Sequence, residues 1–216
     1  VSGFSAFAVC PVIEERFLMM EKLRKKDFDK VYDLMEKSFP IDEYRPYSEQ
    51  KALLDDPAYT VYVLYDESCD GACEESCGES CHKSYDELYD KLQDIKAFIA
   101  VWEFDDFAFV EHFAVHPDLR NCGIGAHVLN ELAVKLGKMV CLEVEPPETE
   151  MAARRIGFYE RNGFFLNEYQ YMQPPISKGR KAIPLLIMTS GGKADREIFE
   201  HIKDTLYSRV YKYSRT

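Results

Sequence analysis

The sequence predicts an α/β fold: a mixed, mainly antiparallel sheet flanked by helices, with an amphipathic helix at the C-terminal end. Three observations carry this expectation. Runs rich in β-branched and aromatic residues recur at 59–65, 95–104, 107–115, 139–144, 164–171 and 183–189. The second and third runs are separated only by Asp105-Asp106, a link short enough for an antiparallel hairpin and too short for a parallel crossover. Segments 123–137 and 148–161 have helical spacing and fall between strands, as crossover helices do in mixed sheets.

Taken in order, residues 17–24 read as a first strand. Asp27 reads as the N-cap of a helix carrying Phe28, Val31, Leu34 and Met35 at 3.6-residue spacing. Pro40 and Pro46 interrupt it, and Ser48 starts a short second helix. After the strand Tyr59–Tyr65 comes an acidic, cysteine-rich insertion over 66–90, with nine acidic residues, one lysine, and Cys69, Cys73, Cys77 and Cys81. The hairpin strands 95–104 and 107–115 follow. The helix 123–137 places Ala126, Leu129, Leu132, Ala133 and Leu136 on one face. Pro146-Pro147 stop the strand 139–144, and Gly163 stands at the C′ position of the helix 148–161. Gly191-Gly192 hinge into a final helix over about 194–211, whose apolar residues Ile198, Ile202, Leu206 and Val210 are spaced by four. The expected organisation is an N-terminal extension (1–18), one domain (19–190) and a C-terminal helical appendage (191–216).

Composition narrows the function classes. The chain has 216 residues, 46% hydrophobic and 30% charged, an ordinary globular balance that excludes a collagen-like or wholly disordered chain. A net charge of −11 argues against non-specific binding to nucleic acid or an anionic membrane. No run of 18 apolar residues exists, so no transmembrane helix is expected. The seven cysteines come without an export signal, so a reducing, cytoplasmic location is the default expectation. Four thiolates could hold zinc or an iron–sulfur cluster, but Cys-x3-Cys repeated is not the usual ligand spacing, and no metal site is assigned. The histidines form no ligand pattern and receive no role.

The chemistry concentrates in EHFAVHPDLRNCGIGAHVLNEL, residues 111–132. A strand runs into a turn that opens a helix with Arg120-x-x-Gly123-x-Gly125-Ala126. Unpaired N–H groups and the helix dipole make such an N-terminus a site for phosphate or pyrophosphate. Small residues let a ligand approach the backbone. The alternative is a tight turn whose glycines only permit close packing. The segment is not a Walker A loop, because no Lys-Ser/Thr follows. Nor is it a dinucleotide fingerprint, because Val128 stands where the third glycine would be.

This segment resembles the acyl-CoA-binding motif of the GNAT superfamily of N-acetyltransferases, and IGFYERNGF (156–164) resembles that family's downstream Tyr-Glu-x-x-Gly-Phe helix. The resemblance implies a GNAT-like fold with acetyl-CoA as co-substrate. The pantetheine arm would pair with the strand edge at Phe113, Ala114 and Val115, and Arg120, Asn121, Cys122, Gly123, Ile124, Gly125 and Ala126 would cradle the pyrophosphate. It also implies a carboxylate base, with Glu111 in the position where many relatives carry it and Glu143 as second candidate. Tyr159 matches the tyrosine beside the cofactor sulfur. Strand alternation puts Glu111, Phe113 and Val115 on one face. The implied reaction transfers an acetyl group to a primary amine, on a small molecule or a peptide, directly within a ternary complex.

Three features depart from the family pattern. Asn121 stands where relatives often have glycine. Cys122 lies within the loop. The link EPPETEMAARR is long, and its Arg154 and Arg155 are candidates for a phosphate or acidic substrate group. Two other functions remain open: a non-catalytic acyl-CoA-binding regulatory module, or a metal- or redox-responsive protein acting through the cysteine insertion. The terminal helix is a candidate homodimer contact.

Overall fold

A computed structural model describes residues 19–65 and 95–213. The N-terminal extension and the cysteine-rich insertion lie outside these residues, and so do the readings placed on them. Strands β1 (Glu21–Lys22), β2 (Tyr59–Tyr65), β3 (Ile95–Glu103), β4 (Phe107–Val115), β5 (Met139–Val144), β6 (Phe164–Gln173) and β7 (Ile183–Ser190) form one sheet in the order β1-β2-β3-β4-β5-β7-β6. Every neighbouring pair is antiparallel except β4–β5, which is parallel. Helix α3 (Ile124–Leu136) crosses between those two strands. This is the mixed, mainly antiparallel sheet that the strand pattern predicts. The other helices are α1 (Phe28–Ser38), α2 (Tyr47–Ala52), α4 (Glu150–Arg161) and α5 (Arg196–Thr205).

Alternation along the strands divides the core in two. On β4, Phe107 and Phe109 join Phe28, Val31, Phe199, Ile202 and Leu206 on the face covered by α1 and α5. Ala108 and Val110 join Ile124, Val128, Leu132, Ile156 and Tyr159 on the face covered by α3 and α4. Both faces of the central strands are therefore buried, which explains their nearly continuous apolar runs.

Four local readings change. The first strand contributes only Glu21–Lys22 to the described sheet. Asp27 occupies an N-cap position without capping: its buried carboxylate accepts hydrogen bonds from Arg24 Nε (2.6 Å) and the Tyr65 hydroxyl (3.0 Å), linking α1 to β2. Helix α2 begins at Tyr47 behind Pro46, whose fixed φ suits a helix entry, and not at Ser48. Ala133 is exposed, and α3 buries Ile124, Val128, Leu129 and Leu132. Gly163 stands at the end of α4 as expected, with φ +82°. The helix itself starts at Glu150, where Thr149 caps it by accepting from Ala152 N–H (3.0 Å).

The last helix packs within the molecule. Its buried residues are Phe199, Ile202, Leu206 and Val210, while Ile198 is exposed. Past Thr205 it widens into a π-turn over Leu206–Val210. Leu206→Ala should cost roughly 2–5 kcal/mol of unfolding free energy in urea denaturation, as expected for a fully buried leucine. A loss below about 1 kcal/mol would mean that this helix does not share the domain's core.

Candidate active site

Strands β4 and β5 pair from Phe107↔Met139 to Val110↔Leu142 and no further. Beyond Val110, β4 keeps only its β3 neighbour among the described residues, while β5 continues along β7 through Glu143↔Ile187 and Val144↔Leu186. The edge of β4 over residues 111–115 therefore faces an opening in the sheet. A β-bulge marks the point of separation: Val101 lies opposite Val110 and Ala100 opposite His112, so Glu111 is the extra residue. A bulge bends its strand and re-aims a side chain.

The bulge also corrects the expected strand faces. Phe113 and Val115 pack with the α3/α4 cluster. Glu111 instead points to the α1/α5 side, where Arg45 Nη1 donates to its Oε1 at 2.7 Å. Simple alternation fails because one added residue inverts the parity of those before it.

On the α3/α4 face, the turn after β4 is held by Arg120, whose Nε donates to the Val115 carbonyl (3.3 Å). Asn121 has φ +64° and Gly123 φ +82°. The left-handed position at 121 suits glycine and is tolerated by asparagine, which accounts for Asn121 replacing the usual glycine. Helix α3 starts with Gly123 at its N-cap and no side-chain cap, so the N–H groups of its first turn lack that partner. A Cβ on Gly125 would lie 3.1 Å from Phe158 Cζ and 3.7 Å from Phe113 Cζ, so this glycine lets β4, α3 and α4 meet. Cys122 Sγ lies 3.7 Å from the Arg120 carbonyl oxygen, and its neighbours Ile124 and Ala126 continue into the helix.

Tyr159 is buried beside this junction, its ring against Phe158 and Phe164. Burial pushes its phenol up to about 12. Arg154 pairs with Glu150 on the exposed helix surface, and Arg155 pairs with Glu145 at 2.7 Å.

On the opposite face the opening is lined by carboxylates in unlike settings. The Glu111 and Arg45 side chains are only 2% and 6% exposed. Burial opposes the Glu111 charge, but the Arg45 guanidinium and His112 outweigh it and hold the carboxyl at about 2. His112 is fixed by the Glu43 carbonyl (2.9 Å from Nε2) and by the Phe39 ring, and its Nδ1 lies 3.5 Å from Glu111 Oε2. Glu143, near the end of β5, has no cationic partner of this kind among the described residues. Burial and the charges of Glu111 and Glu43 raise it to about 7 against the pull of hydrogen bonds from the Tyr171 and Tyr211 hydroxyls.

The structure thus brings Phe113, Val115, Gly123, Gly125 and Tyr159 around one mouth of the opening and Glu111 and Glu143 around the other, while Ala114 contributes its backbone to the β4 edge and packs its side chain in the α1/α5 core. Residues 58–165 match the acetyltransferase (GNAT) domain family. The chain belongs to the GNAT acetyltransferases. A solved structure of a GNAT-family protein from Bacteroides thetaiotaomicron superimposes with a TM-score of 0.71 and 32% identity, covering 91% of this chain and 99% of that one. The ribosomal-protein-S18-alanine N-acetyltransferase of Escherichia coli (TM-score 0.52, 18% identity, 83% and 96% covered) shares the fold alone. So does an aminoglycoside 6'-N-acetyltransferase solved with coenzyme A (TM-score 0.51, 14% identity, 80% and 96% covered). YjbC of Bacillus subtilis (strain 168), a protein named as an acetyltransferase, is 29% identical over 115 residues, 51% of this chain. That match spans 59% of YjbC's own length.

Within this GNAT acetyltransferase, Arg45, Glu43, Tyr171 and Tyr211 are site-lining residues that no local motif announces. Among the described residues, no group of three or more His, Cys, Asp or Glu is arranged to hold a metal, and no helix is long and apolar enough to cross a membrane.

Two stability measurements test these environments. Arg45→Met should destabilise the fold by roughly 3–5 kcal/mol, because it leaves a buried carboxylate unpaired. The Glu143 carboxyl is raised in the folded state, so its favourable contribution is complete below about pH 4.5 and is lost as pH rises through about 7. Glu143→Gln should therefore be more stable than the parent at pH 8, by roughly 1–3 kcal/mol, with the difference shrinking towards pH 4.5. Parallel stability curves from pH 4.5 to 8 would contradict that environment.

Proposed function

We propose that this protein transfers an acetyl group from acetyl-CoA, as co-substrate, to a primary amine by direct transfer in a ternary complex. The acceptor is a small-molecule or peptide amine. The observation that carries this reading is the single opening between β4 and β5, with an uncapped helix N-terminus on one face of the sheet and a carboxylate poised near neutrality on the other. The unpaired β4 edge at Phe113, Ala114 and Val115 suits an extended arm that adds as a strand does. The first turn of α3, from Gly123 to Ala126, suits a pyrophosphate, and Arg120 braces the loop.

The acceptor nitrogen must be neutral to attack, and a free alkylamine has a pKa of about 10. Its proton passes to Glu143, directly or through one water, as the new N–C bond forms and the C–S bond breaks. Glu143 suits this role better than Glu111, because a carboxylate held at about 2 by Arg45 is a weak base. Glu111 instead anchors the bulge that opens the sheet. Tyr159, raised to about 12, keeps its proton at neutral pH. Full transfer from that phenol to a thiolate of pKa roughly 8.5 runs uphill, so its contribution is a hydrogen bond to the departing sulfur. Most of the acceleration comes from holding amine and thioester together.

The deciding experiment is an amine panel with acetyl-CoA, read as thiol release, alongside calorimetry. The parent protein should bind acetyl-CoA and turn over at least one amine. Gly123→Val should weaken binding by at least about tenfold, because a β-branched residue is strained at φ +82°. Glu143→Gln should lower kcat/KM by about 10²-fold or more. Binding without transfer to any amine would favour a non-catalytic acyl-CoA-binding module, and absence of binding would remove the enzymatic reading.

A further inference from the structure

The Glu143 carboxylate is held by two hydroxyl groups from distant parts of the chain. Tyr171 donates from β6, two strands away across β7. Tyr211 donates from the end of the terminal helix, at 2.7 Å. The π-turn delivers Tyr211: its N–H reaches back to the Leu206 carbonyl (3.0 Å), a five-residue span, where a regular α-helix would reach Tyr207. The same turn presents the Val210 carbonyl to Arg45 Nη2 (3.1 Å), and Arg45 holds Glu111. One widened turn at the end of α5 therefore reaches both carboxylates of the opening. Leu206 and Val210, its first and last residues, are buried, so the turn is anchored in the core.

The groups that face Glu143 are Tyr171 from β6, Tyr211 from the terminal turn, Glu111 from β4, Glu43 from the loop between α1 and α2, and Cys141 from its own strand. Among the described residues, the two tyrosines are the ones that donate a hydrogen bond to the carboxylate. We propose that Tyr171 and Tyr211 form a two-hydroxyl clamp that orients the Glu143 carboxylate for proton uptake, which makes the C-terminal turn part of the active site. The tyrosines are positioning residues: they act on the acceptor through Glu143. This inference rests on the role proposed above for Glu143.

The test compares Tyr211→Phe, Tyr171→Phe and, as a control, Tyr207→Phe, whose hydroxyl bonds the Met172 carbonyl. The Glu143 carboxyl is titrated by carbon-13 NMR in full-length, glutamate-labelled protein, with Glu143→Gln assigning the signal. Donors to a carboxylate favour its charged form, so each clamp variant should raise the Glu143 midpoint by about one pH unit. The acidic limb of kcat/KM, measured with the best amine of the panel, should move by the same amount. Tyr207→Phe should move neither. If one clamp variant fails to fold, the other decides. Unchanged midpoints in the folded clamp variants would overturn the clamp. A midpoint that moves while the kinetic limb stays would retain the clamp but remove Glu143 as the proton acceptor, so the two readings fail separately.

Discussion

Everything in the proposed site depends on the point at which β4 and β5 stop sharing hydrogen bonds. The two strands pair over four residues and then part at a bulge centred on Glu111. A parallel pair continued to the ends of both strands would satisfy the backbone and close the sheet. Separation leaves main-chain groups of residues 111–115 available and joins the two faces of the sheet through one opening. The bulge is secured by an ion pair buried so deeply that its removal would leave an uncompensated charge. The Arg45–Glu111 contact is therefore a constraint on backbone shape before it is anything chemical.

The same ion pair sorts the carboxylates. Glu111 and Glu143 belong to one cluster, yet a guanidinium pulls one down while burial and neighbouring negative charge push the other up. Two like groups pushed apart in this way can take different roles at one pH. The terminal turn ties the two environments together, because the segment that receives Arg45 through Val210 also supplies the Tyr211 hydroxyl to Glu143.

Much of the fold was legible because its signals are local. The β-rich runs of β2, β4 and β5 coincide with the strands, and Gly123, Gly137 and Gly163 sit at helix ends with positive φ. The glycine turn was legible for the same reason, since Asn121, Gly123 and Gly125 act within a few residues of one another. Asp27 was misread because its sequence neighbours describe a cap, while its partner Tyr65 lies 38 residues away. The strand face of Glu111 was misread because alternation assumes an unbroken register, and only the pairing with β3 reveals the extra residue.

By itself, then, the sequence determined the succession of strands and helices and the glycine turn after β4, because each of these depends on residue type and near-neighbour spacing; the candidates for acid–base work came from the resemblance to the GNAT family. The tertiary structure decided which carboxylate is neutralised and which is left near neutrality. Arg45, Tyr171 and Tyr211 stand 66, 28 and 68 residues from the carboxylates they contact, and proton affinity is set by the charges and hydrogen bonds that folding assembles around a group, not by its place in the chain.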